Sequence, residues 1–298
     1  MRVFVTGATG FIGSAVVNDL IAAGHQVLGL CRSDEKAAAL AAAGAEVHRG
    51  SLKDPDSLKD GAAQSDGVIH LAFNHDFAKF KANCEDDRDV IRTLGSVLAG
   101  SRRPLIVTSG TGMANTAPGQ PATEDSPTIS SDVIPRAASE EAAADIAADE
   151  VNVSVVRLPQ VHDTVKQGLL SYAIANAREK GVAAYVGDGH NRWPAAHVLD
   201  TARLYRLAME RAEPGAKYHA VAEAGVSLRD IVEAIGRRLE IPVKSIAPEE
   251  AEAYFGWLAM FAAQDAPASS EQTRQNLGWQ PTQPGLIADL DHLRVSQA

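Results

Sequence analysis

Short apolar runs alternate with stretches of helical period through the first half of the chain. Val3–Val5 is apolar without a break, and Val27–Leu30, Val68–Ile69 and Leu105–Val107 repeat the pattern. Runs this short, rich in β-branched residues and bounded by turn formers, read as strands buried on both faces. They predict strands at Arg2–Thr6, Gln26–Cys31, Glu46–Arg49, Gly67–Leu71, Leu105–Ser109 and Ser154–Leu158. Between them, helices are predicted at Gly13–Ala23, Glu35–Ala43, Pro55–Gly61, Ala78–Ala99 and Ala137–Glu150. This alternation implies an α/β fold, a doubly wound parallel sheet with helices on both faces. The second half is less regular. Helices are predicted at Gly168–Lys180, Leu199–Ala212, Leu228–Leu239, Pro248–Phe261 and Gln272–Leu277, with Ser227 as N-cap of the third. They imply a smaller mixed α/β lobe. The expected division is 1–160, joined by parts of 195–222, and 161–298 for the lobe that closes over the ligand.

The first turn carries the strongest chemical signal. Gly7, Gly10 and Gly13 stand three apart between the first strand and the first helix. Strand, glycine turn and helix together aim backbone N–H groups and a helix N-terminus at a diphosphate. The expected ligand is therefore a dinucleotide, held by Gly7, Thr9, Gly10, Phe11, Ile12 and Gly13.

Composition narrows the partners. The 298 residues carry a formal net charge of −10, with 45% hydrophobic and 22% charged residues. A nucleic-acid role is disfavoured, because a phosphate backbone calls for a basic face. No apolar stretch is long enough to span a bilayer, and no secretory leader pattern opens the chain. Cys31 and Cys84 define neither a metal spacing nor a disulfide framework, and no His-x-x-x-His pair lies on a predicted helix, so no metal site is expected. A cytoplasmic enzyme is the expectation.

Thr6-Gly-Ala-Thr-Gly-Phe-Ile-Gly13 resembles the signature of the extended short-chain dehydrogenase/reductases, a Rossmann-type family that includes nucleotide-sugar epimerases and carbonyl reductases. Val68–Ala72, Ile106–Ser109, Arg157–Pro159, His197–Asp200 and Leu277–Pro281 resemble its later motifs. The resemblance implies that Leu52, Leu71, Ala72, Phe73, Thr108 and Pro159 also contact the cofactor. It further implies a homodimer. At the end of the second strand no carboxylate is present to select NAD; Cys31 is followed by Arg32 and Ser33, which could read a 2′-phosphate. NADP(H) is therefore expected over NAD(H).

The family's Tyr-x-x-x-Lys pair is not found. Between Thr108 and Arg157 there is neither tyrosine nor lysine; the best register puts Asp132 at the tyrosine position, Arg136 at the lysine position and Glu140 at a later acidic one. The chain so resembles an atypical branch. Arginine stays charged near neutral pH and cannot serve as the acid. The remaining catalytic candidates are Ser109, Thr111, Arg136 and His162, the last by position and pKa. Trp193, His75 and Tyr185 are candidate substrate contacts, although Trp193 also reads as a plug between lobes. Tyr172 is a further phenol in the second half. The acidic, aromatic-poor composition does not suggest a nucleotide-sugar substrate. The expected activity is NADPH-dependent reduction of a small carbonyl or imine. The alternatives are a non-catalytic dinucleotide sensor and a redox-neutral epimerase or dehydratase.

Overall fold

The computed structural model describes residues 1–294 apart from 115 and 118; residues 295–298, the expected end of the second lobe, lie outside the described residues. Seven parallel strands form the main sheet: β1 (Arg2–Thr6), β2 (Gln26–Cys31), β3 (Glu46–Arg49), β4 (Gly67–His70), β5 (Leu105–Gly110), β6 (Val153–Leu158) and β10 (Lys217–His219). Their spatial order is β3-β2-β1-β4-β5-β6-β10. Successive residues of β1 feed opposite faces. Val3 and Val5 pack on the side of α1 (Phe11–Ala22), α2 (Asp34–Ala42) and α7 (Val198–Arg211). Phe4 packs on the side of α3 (Pro55–Ala63), α4 (Phe80–Leu98) and α5 (Ala138–Ala148). That is why the strands read as unbroken apolar runs rather than alternating ones. The strand order reverses between β1 and β4, and a crevice opens at the carboxyl ends of strands at such a reversal.

The second half contains strands that the sequence pattern did not predict. β9 (Arg192–His197) pairs in parallel with β7 (Gln160–His162) and antiparallel with β11 (Glu223–Ser227). β8 (Ala183–Val186) pairs in parallel with β12 (Val243–Ile246). Around them pack α6 (Leu170–Lys180), α8 (Leu228–Leu239) and α12 (Leu286–Asp291), which share a core through Ile174, Ile231 and Leu290. Ser227 caps α8 as expected, its hydroxyl accepting from the Asp230 N–H at 3.1 Å. α11 spans Glu271–Leu277.

One predicted helix is broken. Residues 248–261 do not form a single helix but α9 (Ala251–Phe255) and α10 (Ala259–Ala262), separated by a 3₁₀ turn at Gly256–Leu258. Gly256 adopts φ +56°, which ends α9 and reorients the chain. The predicted helix from Ala78 also begins later, at Phe80, after a 3₁₀ turn capped by Asp76. Among the described residues, no helix is long and apolar enough to cross a membrane.

Candidate active site

The glycine turn closes one side of the crevice. Gly7 has φ +70°, and a Cβ placed on it would lie 2.8 Å from the backbone nitrogen of Ala72, just past β4. A Cβ on Gly13 would lie 2.0 Å from the Gly7 carbonyl oxygen. These two glycines therefore let the turn touch β4 and let α1 start directly against the turn. Gly10 is the exposed N-cap of α1, without a side-chain cap, and no acidic residue stands in the first helical turn. The N-terminal N–H groups of a helix have no intrahelical acceptor, so this end is open to an anion. The cradle fits a dinucleotide diphosphate.

A buried polar chain runs from this turn to Arg136. The Thr6 hydroxyl oxygen accepts from the N–H groups of Leu71 and Ala72, both at 3.2 Å. Its proton is thus free for His70 Nδ1, 2.7 Å away. His70 then carries its proton on Nε2 and donates to Asp87, 3.0 Å away. The other Asp87 oxygen accepts from Ser139 at 2.5 Å and from Arg136 at 3.0 Å. Burial is the largest single influence and would raise the Asp87 pKa, but the charge of Arg136, His70 and the Ser139 hydrogen bond together outweigh it and hold it at about 2. Arg136 also donates to the Thr108 carbonyl at 3.0 Å and lies 4.3 Å from the centre of the Phe73 ring. A cation is thereby fixed at the mouth of the crevice, between the ends of β4 and β5.

A second buried cluster stands beneath Ser109. Its hydroxyl donates to Glu140 at 2.6 Å, and Thr128 donates to the other Glu140 oxygen at 2.6 Å. Arg157 grips both oxygens, each at 2.8 Å, with its side chain 0% exposed. Burial opposes ionisation of Glu140, but the hydrogen bonds and charge of Arg157, then Ser109 and Thr128, lower its pKa. Arg157 also faces His219 Nε2 at 3.4 Å, while His219 Nδ1 lies 2.8 Å from the Ser269 carbonyl. Arginine can only donate and a carbonyl only accept, so His219 is fixed as the neutral Nδ1–H tautomer. Burial lowers its pKa to about 4, assisted by the charge of Arg157 and opposed by Glu124.

His162 is shifted in the same direction, again chiefly by burial, with Asp289 opposing. Below pH 6.5 the unfolded chain therefore binds protons that the folded one refuses at both histidines. Stability is expected to fall as pH drops from 6.5 towards 4, by up to about 1.4 kcal/mol per pH unit at His219, with His162 acting in the same direction. Urea titrations across that window should show His219→Gln with the shallower slope; parallel slopes would contradict the neutral assignment.

The remaining predicted residues fall in different places. Ser109 and Thr111 are both buried at the end of β5. Leu71, Ala72, Thr108 and Pro159 sit at or just past the carboxyl ends of β4, β5 and β6, and Leu52 follows β3. Arg32 and Ser33 follow β2 and are exposed. Among the described residues Arg32 forms no ion pair, whereas nearby Arg49 is paired with Asp34. His75 keeps an exposed edge, but its ring sits between Phe73 and Phe77 at 5.3 and 6.3 Å. Desolvation there, then the charges of Arg136 and Lys166, lower its pKa.

His162 does not join this group. It is 0% exposed, and its Nδ1 lies 2.6 Å from Asp289 on α12. The chain enters β7 directly after Pro159 and carries the ring into the smaller sheet, away from the crevice and from solvent. Trp193 is likewise part of the core, its indole N–H donating to the Gln264 carbonyl at 3.2 Å. Tyr185 and Trp193 share an enclosed apolar cavity with Leu228 and Tyr254. The phenol that does reach the site is Tyr205 on α7, 2.8 Å from the Thr108 hydroxyl. It is fully buried, and desolvation pushes its pKa far up, so it is a support for Thr108 and not an acid.

Sequence reasoning missed Asp87 and Tyr205. Asp87 had a signal: it lies on the apolar stripe of α4 with Cys84, Ile91 and Leu94, where an unpaired charge would be costly. Among the described residues no cluster of histidine, cysteine or carboxylate side chains suits a metal ion.

Sheet order and glycine turn define a doubly wound α/β protein with a crevice at the strand reversal. The chain belongs to the NAD dependent epimerase/dehydratase family, whose profile matches residues 3–222. It is 47% identical to the uncharacterized protein C2A9.02 of Schizosaccharomyces pombe, over 97% of this chain and 98% of that one. It is 27% identical to the UDP-glucose 4-epimerase of Streptomyces lividans, over 96% and 93% of the two chains. Among solved structures it superposes on the dTDP-glucose 4,6-dehydratase DesIV of Streptomyces venezuelae, with NAD bound, at TM-score 0.78 and 20% identity. That match covers 98% of this chain and 95% of the other, and shows that the two share a fold.

Proposed function

We propose that this chain is an NADPH-dependent oxidoreductase that reduces a small carbonyl or imine compound. The observation that carries the proposal is Arg136, a cation locked by Asp87, Ser139 and the Thr108 carbonyl at the strand-end crevice that the glycine turn borders. When bound, reduced nicotinamide supplies the hydride for C=O or C=N reduction, and solvent supplies the proton that completes the alcohol or amine. The turn from Gly7 and Thr9 to Gly13 holds the diphosphate, with the Gly10 N–H closing the turn on the Gly7 carbonyl and the N–H groups of Phe11, Ile12 and Gly13 at the start of α1 left to donate. Arg32 and Ser33 take the 2′-phosphate. Arg136 draws the substrate oxygen and stabilises negative charge developing on it, without giving up a proton. Thr111 orients that oxygen, while Ser109, whose proton is held by Glu140, braces the end of β5 beneath it. An iminium substrate needs no proton donor, because its nitrogen is already protonated, but its charge is opposed by Arg136, which favours a carbonyl oxygen.

Two measurements test this. Arg32→Ala is expected to raise the Kd for NADPH about tenfold or more and leave NADH unchanged, as befits a lost charge-assisted hydrogen bond. An unaltered NADPH affinity in calorimetry would remove the phosphate assignment. Arg136→Gln is expected to lower kcat about 100-fold, with Arg136→Lys recovering part of it. If the wild-type protein consumes no NADPH with any carbonyl or imine, the reductase reading fails.

Similarity to a UDP-glucose 4-epimerase along most of the chain favours a second reading, redox-neutral chemistry on retained cofactor. Turnover without net NADPH loss would select it.

A further inference from the structure

Aromatic residues make up only 5% of the chain, yet they gather in one place. Phe73, the ring beneath Arg136, lies 6.2 Å from Phe80, which stacks on Phe77 at 5.7 Å. Phe77 in turn stacks on Trp257 at 4.3 Å with the rings 19° apart, and Tyr172 meets Trp257 edge-on at 5.2 Å. The wall thus starts at the crevice, where Arg136 holds the end of β5. It runs outward to α6 and to the Gly256–Leu258 turn, which the broken helix presents. It is not closed over: Trp257 is 41% exposed and Tyr172 45%. A contiguous exposed aromatic surface leading from a polar crevice has the form of a ligand wall.

Charge separates the possible occupants. A nucleoside diphosphate needs cations for its phosphates. At the wall Arg136 is already paired with Asp87, and Lys166, which forms no ion pair among the described residues, stands over Phe11 on the glycine-turn side of the crevice, 5.7 Å from the ring centre. Phe77 is already stacked on Phe80 and Trp257, so the wall offers the outward rings of Trp257 and Tyr172 and the edges of Phe73 and Phe77, which reward a flat π-system by about 0.5–1.5 kcal/mol per ring pair beyond area burial.

We infer that the substrate is a flat, multi-ring aryl aldehyde, ketone or imine, its rings laid along Phe73, Phe77, Tyr172 and Trp257 and its polar end at Arg136. This rests on the reductase reading for the reaction, but not for binding. The test uses 2-naphthaldehyde and its saturated counterpart, decalin-2-carbaldehyde, on protein loaded with NADP+, where no reduction occurs. Calorimetry is expected to show at least tenfold tighter binding of the naphthyl compound. Trp257→Ala and Phe77→Ala should each weaken it severalfold to tenfold, and Trp257→Phe, which keeps a ring, should restore most of it. With NADPH, the same preference should appear in kcat/KM, mainly through KM.

If the naphthyl compound binds as described but no NADPH is consumed, the aryl site stands and the reductase reading falls. If both aldehydes are reduced equally well and Trp257→Ala leaves KM unchanged, the reductase reading stands and the aryl assignment is overturned. Equal or absent binding of the two probes overturns it as well.

Discussion

Glu140→Gln is expected to cost the folded protein about 3–5 kcal/mol, because it leaves the fully buried Arg157 charge without a counter-ion. The change is nearly isosteric, so the loss reports not shape but the missing charge and the one acceptor that the amide nitrogen no longer offers Arg157 and its neighbouring hydroxyl. Urea unfolding at pH 7, followed by circular dichroism, measures it directly. Replacing both partners, as Glu140→Leu with Arg157→Met, should cost far less than the single change, since no orphaned charge remains. A single-mutant loss below about 1 kcal/mol would mean that water or another group reaches Arg157. The pH dependence has a definite sign. The folded pKa of Glu140 lies below its ordinary value, so its contribution is present above that value and disappears as pH falls through the folded one. Asp87 behaves alike, its share being lost between about pH 4 and its folded value of about 2.

Gly13→Ala is expected to abolish dinucleotide binding, with Kd rising at least about 100-fold, and to lower stability by more than the 1–3 kcal/mol of ordinary overpacking. The added Cβ would fall 2.0 Å from the Gly7 oxygen and 2.8 Å from the Gly7 carbonyl carbon. Both are backbone atoms, so no side chain can rotate aside. Either α1 moves away from the turn or the turn loses its contact with Ala72, and in both cases the N–H groups no longer converge. Gly112→Ala is the control, with open space around the new methyl group. Calorimetry with NADPH and a thermal melt of each variant decide the matter. Wild-type affinity in Gly13→Ala would show that the turn is not the diphosphate cradle.

The residues behind these two predictions differ in how visible they were. The glycine turn could be read directly, because its meaning is local: strand, turn and helix follow one another within fourteen residues. The strands of the main sheet were legible for the same reason, since burial on both faces leaves an apolar run in the sequence. The small strands of the second half left no such trace. β9 contains Pro194, which cannot donate to a ladder and argues against a central strand. β7 and β10 have only three residues each, too few to show a period. His162 illustrates the cost: its place after β6 pointed to the crevice, but β7 turns it into the core beside Asp289.

The sequence by itself determined the family, the sheet of alternating β and α elements, and the glycine turn between β1 and α1, all of which rest on neighbours in the chain. Only the tertiary structure decided which buried charges pair, that Asp87 anchors Arg136, and that Phe77 meets Trp257 across 180 positions of sequence. Periodicity reports which face of an element is buried. It carries no information about which distant element will cover that face, because this depends on how the loops and the broken helix at Gly256 route the chain.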